Sequence, residues 1–153
     1  MRKFVVLFML LVIQFISSAD AKVISNEKID NSKVEIASKI IADLQKDMPS
    51  FTTKGSGPFV AAIYDSNGNL IVKTANSVVN DNCSSNHAEM NAIREAEKIF
   101  NSYDLSSYNL SMYVTAEPCI MCLGGIMWSG IKNLYYSVPS EKVEEITGFD
   151  EGF

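Results

Sequence analysis

The chain has 153 residues, 47% of them hydrophobic and 20% charged, which gives room for one domain with its own core and excludes a disordered or low-complexity protein. Its formal charge of −5 repels a phosphate backbone, because affinity for polynucleotide comes largely from Lys and Arg. No nucleic-acid partner is expected, and a small neutral or cationic ligand suits this balance better.

Residues 1–21, "MRKFVVLFMLLVIQFISSADA", start with Arg2 and Lys3, run apolar from Phe4 to Ile13 and end on Ala19-Asp20-Ala21. That is the layout of a signal peptide cleaved after Ala21, so the expectation is an exported protein, periplasmic or secreted, with one domain over 22–153. Gln14 and the serines stop the apolar run short of the roughly 20 residues a bilayer span needs, so no stable membrane insertion is expected after cleavage. Losing Arg2, Lys3 and Asp20 with this segment takes the formal charge of the remainder to −6.

The next segment, "NSKVEIASKIIADLQKDM", places Val34, Ala37, Ile40, Ile41, Leu44 and Met48 at helical spacing, with Ser32 and Glu35 in capping-box positions. The spacing predicts an amphipathic helix that ends before Pro49. "PFVAAIYD" and "NLIVKTAN" flank Ser66-Asn67-Gly68, a hairpin signal, and predict two adjacent antiparallel strands. "HAEMNAIREAEKIF" reads as a helix burying Ala92, Ile93, Ala96, Ile99 and Phe100. "LSMYVTAE" reads as a strand, and Pro118 suits the first turn of a helix from about Cys119 to Trp128. "NLYYSVP" is a further strand, and "SEKVEEITG" a short helix with Ser140 as N-cap and Gly148 as its stop. This order of strands and helices describes one mixed sheet covered by helices, an α/β domain.

Three cysteines, Cys83, Cys119 and Cys122, cannot all pair within one chain. Either Cys119 and Cys122 form a C-x-x-C disulfide with Cys83 spare, as in an exported redox or structural domain, or the pair does other work. At a helix N-terminus, partial positive charge and free N–H groups favour thiolates, which are metal ligands. The only histidine, His87, also opens a predicted helix. Three protein ligands, His87, Cys119 and Cys122, would leave a position for water, the pattern of a catalytic zinc. Cys83 as a fourth would close it. Two residues after His87, Glu89 is placed to accept and return protons. The alternative is that Asn86 and Glu89 form a capping box, in which Glu89 only satisfies a helix-start N–H.

"HAE" at 87–89 with "PCIMC" at 118–122 has the H-x-E…P-C-x-x-C form of the zinc deaminases, and the chain resembles the cytidine and deoxycytidylate deaminase superfamily. The likeness takes in "GPFVAAIYDSNGNLI", "HAEMNAIREAEK" and "LSMYVTAEPCIMCLGGIMWSGIKNLYYSV". Trp128 and "GFDE" at 148–151 are more similar to the bacterial guanine deaminase branch than to the tRNA adenosine deaminases, whose Ser-Arg-Ile reads Ser129-Gly130-Ile131 here.

The resemblance implies a three-layer α/β/α cytidine deaminase-like fold, one Zn2+ per chain and a homodimer. It also implies hydrolytic deamination of a nucleobase, guanine to xanthine, or alternatively of cytosine or a nucleoside. Glu89 would be the proton carrier and Glu151 a second acid, standing where the branch usually has Asp. Asn76 would hold the base through its amide, Ala88 would offer its backbone N–H, and Phe59 and Trp128 would wall the pocket unless they are simply core. Val60 replaces a residue that is commonly glycine in the branch.

Overall fold

The computed structural model describes residues 22–24 and 30–148. The expected signal segment 1–21 and the candidate acid Glu151 lie outside the described residues.

Strands β1 (Lys22–Ile24), β2 (Val60–Tyr64), β3 (Leu70–Ala75), β4 (Ser111–Ala116) and β5 (Asn133–Val138) form one sheet in the order β1-β5-β4-β2-β3. β4 and β5 are parallel, and every other neighbouring pair is antiparallel. The helices are α1 (Asn31–Thr52), a single turn α2 (Val78–Asp81), α3 (Ala88–Phe100), α4 (Ile120–Ser129) and α5 (Ser140–Thr147).

Alternation along the strands divides the core into two halves. Val60, Ala62, Tyr113 and Tyr135 face α1 and α5, where Ala37, Ile41, Leu44, Met48 and Val143 meet them. Ala61, Ile63, Met112, Val114, Leu134 and Tyr136 face the other way, against Ala88, Ala92, Ile93 and Ala96 of α3 and Ile126 of α4. The sheet is therefore covered on both sides, which is the three-layer α/β/α arrangement expected. It also explains why β4 is an unbroken buried run from Met112 to Ala116 rather than an alternating one.

Several local expectations are corrected. The N-cap of α1 is Asp30, not Ser32: the Asp30 carboxylate accepts from the Ser32 N–H (2.9 Å) and hydroxyl (2.7 Å), while Glu35 pairs with Lys39 instead. α1 continues through Pro49 to Thr52. A proline forfeits only its own N–H, the Thr53 N–H still reaches the Pro49 carbonyl, and the hydroxyls of Ser50, Thr52 and Thr53 satisfy carbonyls of the last turn. Ile99 is 58% exposed, whereas Phe100 packs against the core and on Tyr108, with ring centroids 4.1 Å apart. The hairpin forms as expected, with Gly68 at φ +82° and Asp65 accepting from the N–H groups of Asn67 and Asn69.

The parallel pair β4–β5 decides where a site can be. At its carboxyl edge lie the ends of β3 and β4, the start of β2, and the N-termini of α3 and α4. Gly125 permits those two helices to approach closely, since a Cβ there would sit 2.6 Å from the Met90 sulfur.

Candidate active site

His87 is the N-cap of α3 and Cys119 the N-cap of α4, and neither helix start has a side-chain cap. Both residues therefore stand where free N–H groups and the helix dipole concentrate partial positive charge. Cys122, one turn on and fully buried, completes the group. The ligand atoms of His87, Cys119 and Cys122 lie within 4.8 Å of one another, and Cys119 Sγ is 3.7 Å from His87 Nδ1. Tetrahedral zinc with its usual bond lengths to sulfur and imidazole nitrogen sets such ligand atoms about 3.6 Å apart, so the donor set fits the metal in kind and spacing.

All three cysteines are free thiols. Cys83 is outside the cluster, with its sulfur 3.4 Å from the Ser85 hydroxyl, so it is not a fourth ligand, and among the described residues the cluster offers three ligands. A hydrogen bond from Cys122, helped by His87, pushes the Cys119 thiol down to about 4. The Cys122 thiol, facing Cys119 and the Glu89 carboxyl in the interior, is pushed up. A metal cation held by Cys119 and Cys122 would remove that conflict, because both would then bind it as thiolates.

Glu89 is only 6% exposed, and burial raises its carboxyl to about 7. It faces its own backbone N–H and the Cys122 thiol. Only the Asn86 half of the capping box is absent, because the Asn86 side chain is engaged elsewhere: it donates to Asp81 (2.8 Å) and accepts from Arg94 (2.6 Å). A carboxyl poised near neutrality beside an open metal position can both take and give a proton.

The cleft beside the cluster is lined by Phe59, Asn76, His87, Glu89, Glu117 and Cys119, over a floor of Val114 and Ala116. Asn76 is held by its backbone, its N–H donating to the Phe59 carbonyl (3.0 Å) and its own carbonyl accepting from Gly57 N–H (2.9 Å). Its Oδ1 accepts from Val78 N–H (3.2 Å), which leaves the NH2 as the group to meet an acceptor on a ligand. Ala88 is wholly buried at the first position of α3, where an N–H has no intrahelical partner, and its carbonyl accepts from Thr74 (2.7 Å). Phe59 lines the cleft and packs on both halves of the core.

Trp128 is elsewhere. It is 89% exposed and nine positions along α4 from Cys119, about 13 Å of helix, so it is neither core nor part of this cleft.

Glu117 was not singled out from sequence, yet it lines the cleft and joins three elements. Its carboxylate accepts from the Tyr136 hydroxyl (3.1 Å) and from the Ser140 N–H (2.8 Å), so it caps α5 in place of the expected Ser140 side chain. Its position just before Pro118-Cys119 was the available signal.

A cluster of three metal-ligand side chains with a buried carboxyl beside it, at the carboxyl edge of an α/β/α sheet, is equipped to hold a metal ion and move protons at it. Residues 32–138 match the sequence profile of the cytidine and deoxycytidylate deaminase zinc-binding region, and the chain belongs to that family. It is 38% identical to a guanine deaminase of Bacillus subtilis over 97 residues, 63% of this chain and 60% of that protein. It is 40% identical to a tRNA-specific adenosine deaminase of Rickettsia bellii over 91 residues, 59% of this chain and 61% of that one. The chain thus spans about three fifths of the curated relatives it matches. The solved structure of guanine deaminase from Nitrosomonas europaea superimposes with a TM-score of 0.68 at 27% identity, covering 93% of this chain and 74% of the other.

Proposed function

We propose that this deaminase converts guanine to xanthine, with one water consumed and one ammonia released. The observation that carries this reading is the pairing, in one cleft, of the Glu89 carboxyl and the metal-ligand cluster with the Asn76 amide. The likeness to guanine deaminases in both sequence and structure supports guanine as the base. The formal charge of −5 speaks for a free base over the polyanion on which the tRNA-specific relatives act.

His87, Cys119 and Cys122 hold the zinc, which when bound supplies a Lewis acid that makes water acidic near neutral pH. Glu89 takes the proton of the attacking water as the C–O bond forms at the ring carbon bearing the amine. It passes that proton to the adjacent ring nitrogen, and the second one to the amine as the C–N bond breaks. Desolvation, which raises the Glu89 carboxyl toward neutrality, is what fits it to act in both directions. The Asn76 NH2 donates to a ring acceptor, the Ala88 N–H to a carbonyl of the base, and Phe59 shields the cleft from water.

The same proposal includes a homodimer. Ile120, Met127 and Trp128, 67%, 79% and 89% exposed, lie along one side of α4, an apolar stripe suited to a second copy. Trp128→Glu is expected to yield monomers in sedimentation; an unchanged dimer would place the contact elsewhere.

The zinc-loaded protein, incubated with guanine, guanosine, cytosine, cytidine, adenine and an adenosine-containing RNA hairpin, tests the substrate through ammonia release. Guanine is expected to be turned over fastest. Preference for cytosine or for the hairpin would replace guanine with that substrate.

A further inference from the structure

We propose that Asn91, braced by Arg94, is a positioning residue that fixes the separation between the Asn76 amide and the metal ligand His87. The deaminase reading supplies the roles of those two residues, whereas the geometry stands on its own. Asn76 and His87 are joined by residues 77–86, a surface excursion with the single turn α2 and an asparagine, Asn82, at positive φ. Such a connection does not hold its two ends at a defined distance unaided.

Asn91 adds a second, side-chain constraint from α3 to the backbone bond that joins the two ends of the excursion. Its Nδ2 donates to the Ala75 carbonyl (3.0 Å) and to the Ser77 hydroxyl (3.0 Å), the residues on either side of Asn76, and approaches the Asn86 carbonyl (3.4 Å), directly before His87. Its backbone N–H bonds the His87 carbonyl (3.0 Å), so the side chain springs from the helix that carries the ligand. The Ser77 N–H closes the clamp on the Asn86 carbonyl (2.9 Å).

Arg94 fixes which way the Asn91 amide faces. Its Nη2 donates to Asn91 Oδ1 and to Asn86 Oδ1, both at 2.6 Å. A guanidinium has only donors, so the Asn91 oxygen must face it and the NH2 must face the strand end. Asp81 completes the frame, accepting from Asn86 Nδ2 (2.8 Å) and the Ser77 hydroxyl (2.6 Å). Asn91→Asp retains the size and the Arg94 contact but replaces the donor to Ala75 and Ser77 with an acceptor.

The test uses the full chain loaded with Co2+ in place of zinc, whose pseudocontact shifts report by NMR where the Asn76 side-chain amide lies relative to the metal. Asn91→Asp and Asn91→Ala are expected to bind one metal per chain and to leave the β4 and β5 resonances in place, while moving the Asn76 shifts. In the zinc form KM is expected to rise about tenfold with a smaller change in kcat, as misplacement of a binding group requires. Arg94→Met, which retains the stem, is expected to move the same shifts less and serves if the Asn91 variants do not fold. Unmoved Asn76 shifts in the folded variants would overturn the proposal. A wild-type protein that deaminates no base would instead strike the deaminase reading, and the cobalt shifts would still decide the positioning.

Discussion

The start of α1 and the starts of α3 and α4 solve the same problem in opposite ways. At α1, the Asp30 carboxylate accepts from the Ser32 N–H, and the Ser32 hydroxyl adds a second bond to it. At α3 and α4 the N-cap positions belong to His87 and Cys119, which cap nothing. A capped end serves stability, while an uncapped one keeps its partial positive charge for something that binds there. The contrast teaches that the two poorest N-caps among the longer helices mark the functional edge of the sheet.

Cys119→Ser breaks the contrast most sharply. Serine is a better N-cap than cysteine, so the variant is expected to lose zinc and all measurable turnover while the metal-free protein gains about 0.5–1 kcal/mol of stability. Metal analysis and chemical denaturation of the two metal-free proteins check both halves. Glu89→Ala comes next: zinc stays, and kcat falls about 10²- to 10⁴-fold, the usual worth of a general acid and base. Wild-type turnover in that variant would remove Glu89 from the reaction.

Asp30→Ala is the smallest change, a lower melting temperature with kcat untouched. Its hydrogen bonds from Ser32 hold the Asp30 carboxyl below its ordinary value of 3.8. The cap is therefore fully present above that value and is lost as pH falls through the lowered one. Melting curves of Asp30→Ala and wild type are expected to differ at pH 7 and to converge in strong acid; a gap that persisted would assign the loss to something other than the charged cap.

The metal cluster was legible because its chemistry is written in a few residue types at fixed spacing, His87 with Glu89 and Cys119 with Cys122. The hairpin was legible because Asn67-Gly68 dictates a turn. What stayed hidden depended on partners far along the chain. The three residues of β1 carry no periodic signal, and their strand exists because β5 offers an edge to pair with. Asn86 and Glu89 have capping-box spacing, yet Arg94 and Asp81 claim Asn86 first. Ser140 has the right chemistry for a cap, but Glu117 reaches its N–H from across the sheet edge. Pro49 is a helix stop by rule, and the hydroxyls after it carry α1 through one more turn.

Glu117 has a dynamic corollary. The same carboxylate belongs to the loop that delivers Cys119 and terminates α5, while its neighbouring N–H bonds Val138 (2.7 Å). That loop cannot swing away from the sheet without fraying α5, nor can α5 unwind from its start without freeing the loop. Hydrogen exchange at Ser140 and at Glu117 should therefore report one shared opening event rather than two independent ones.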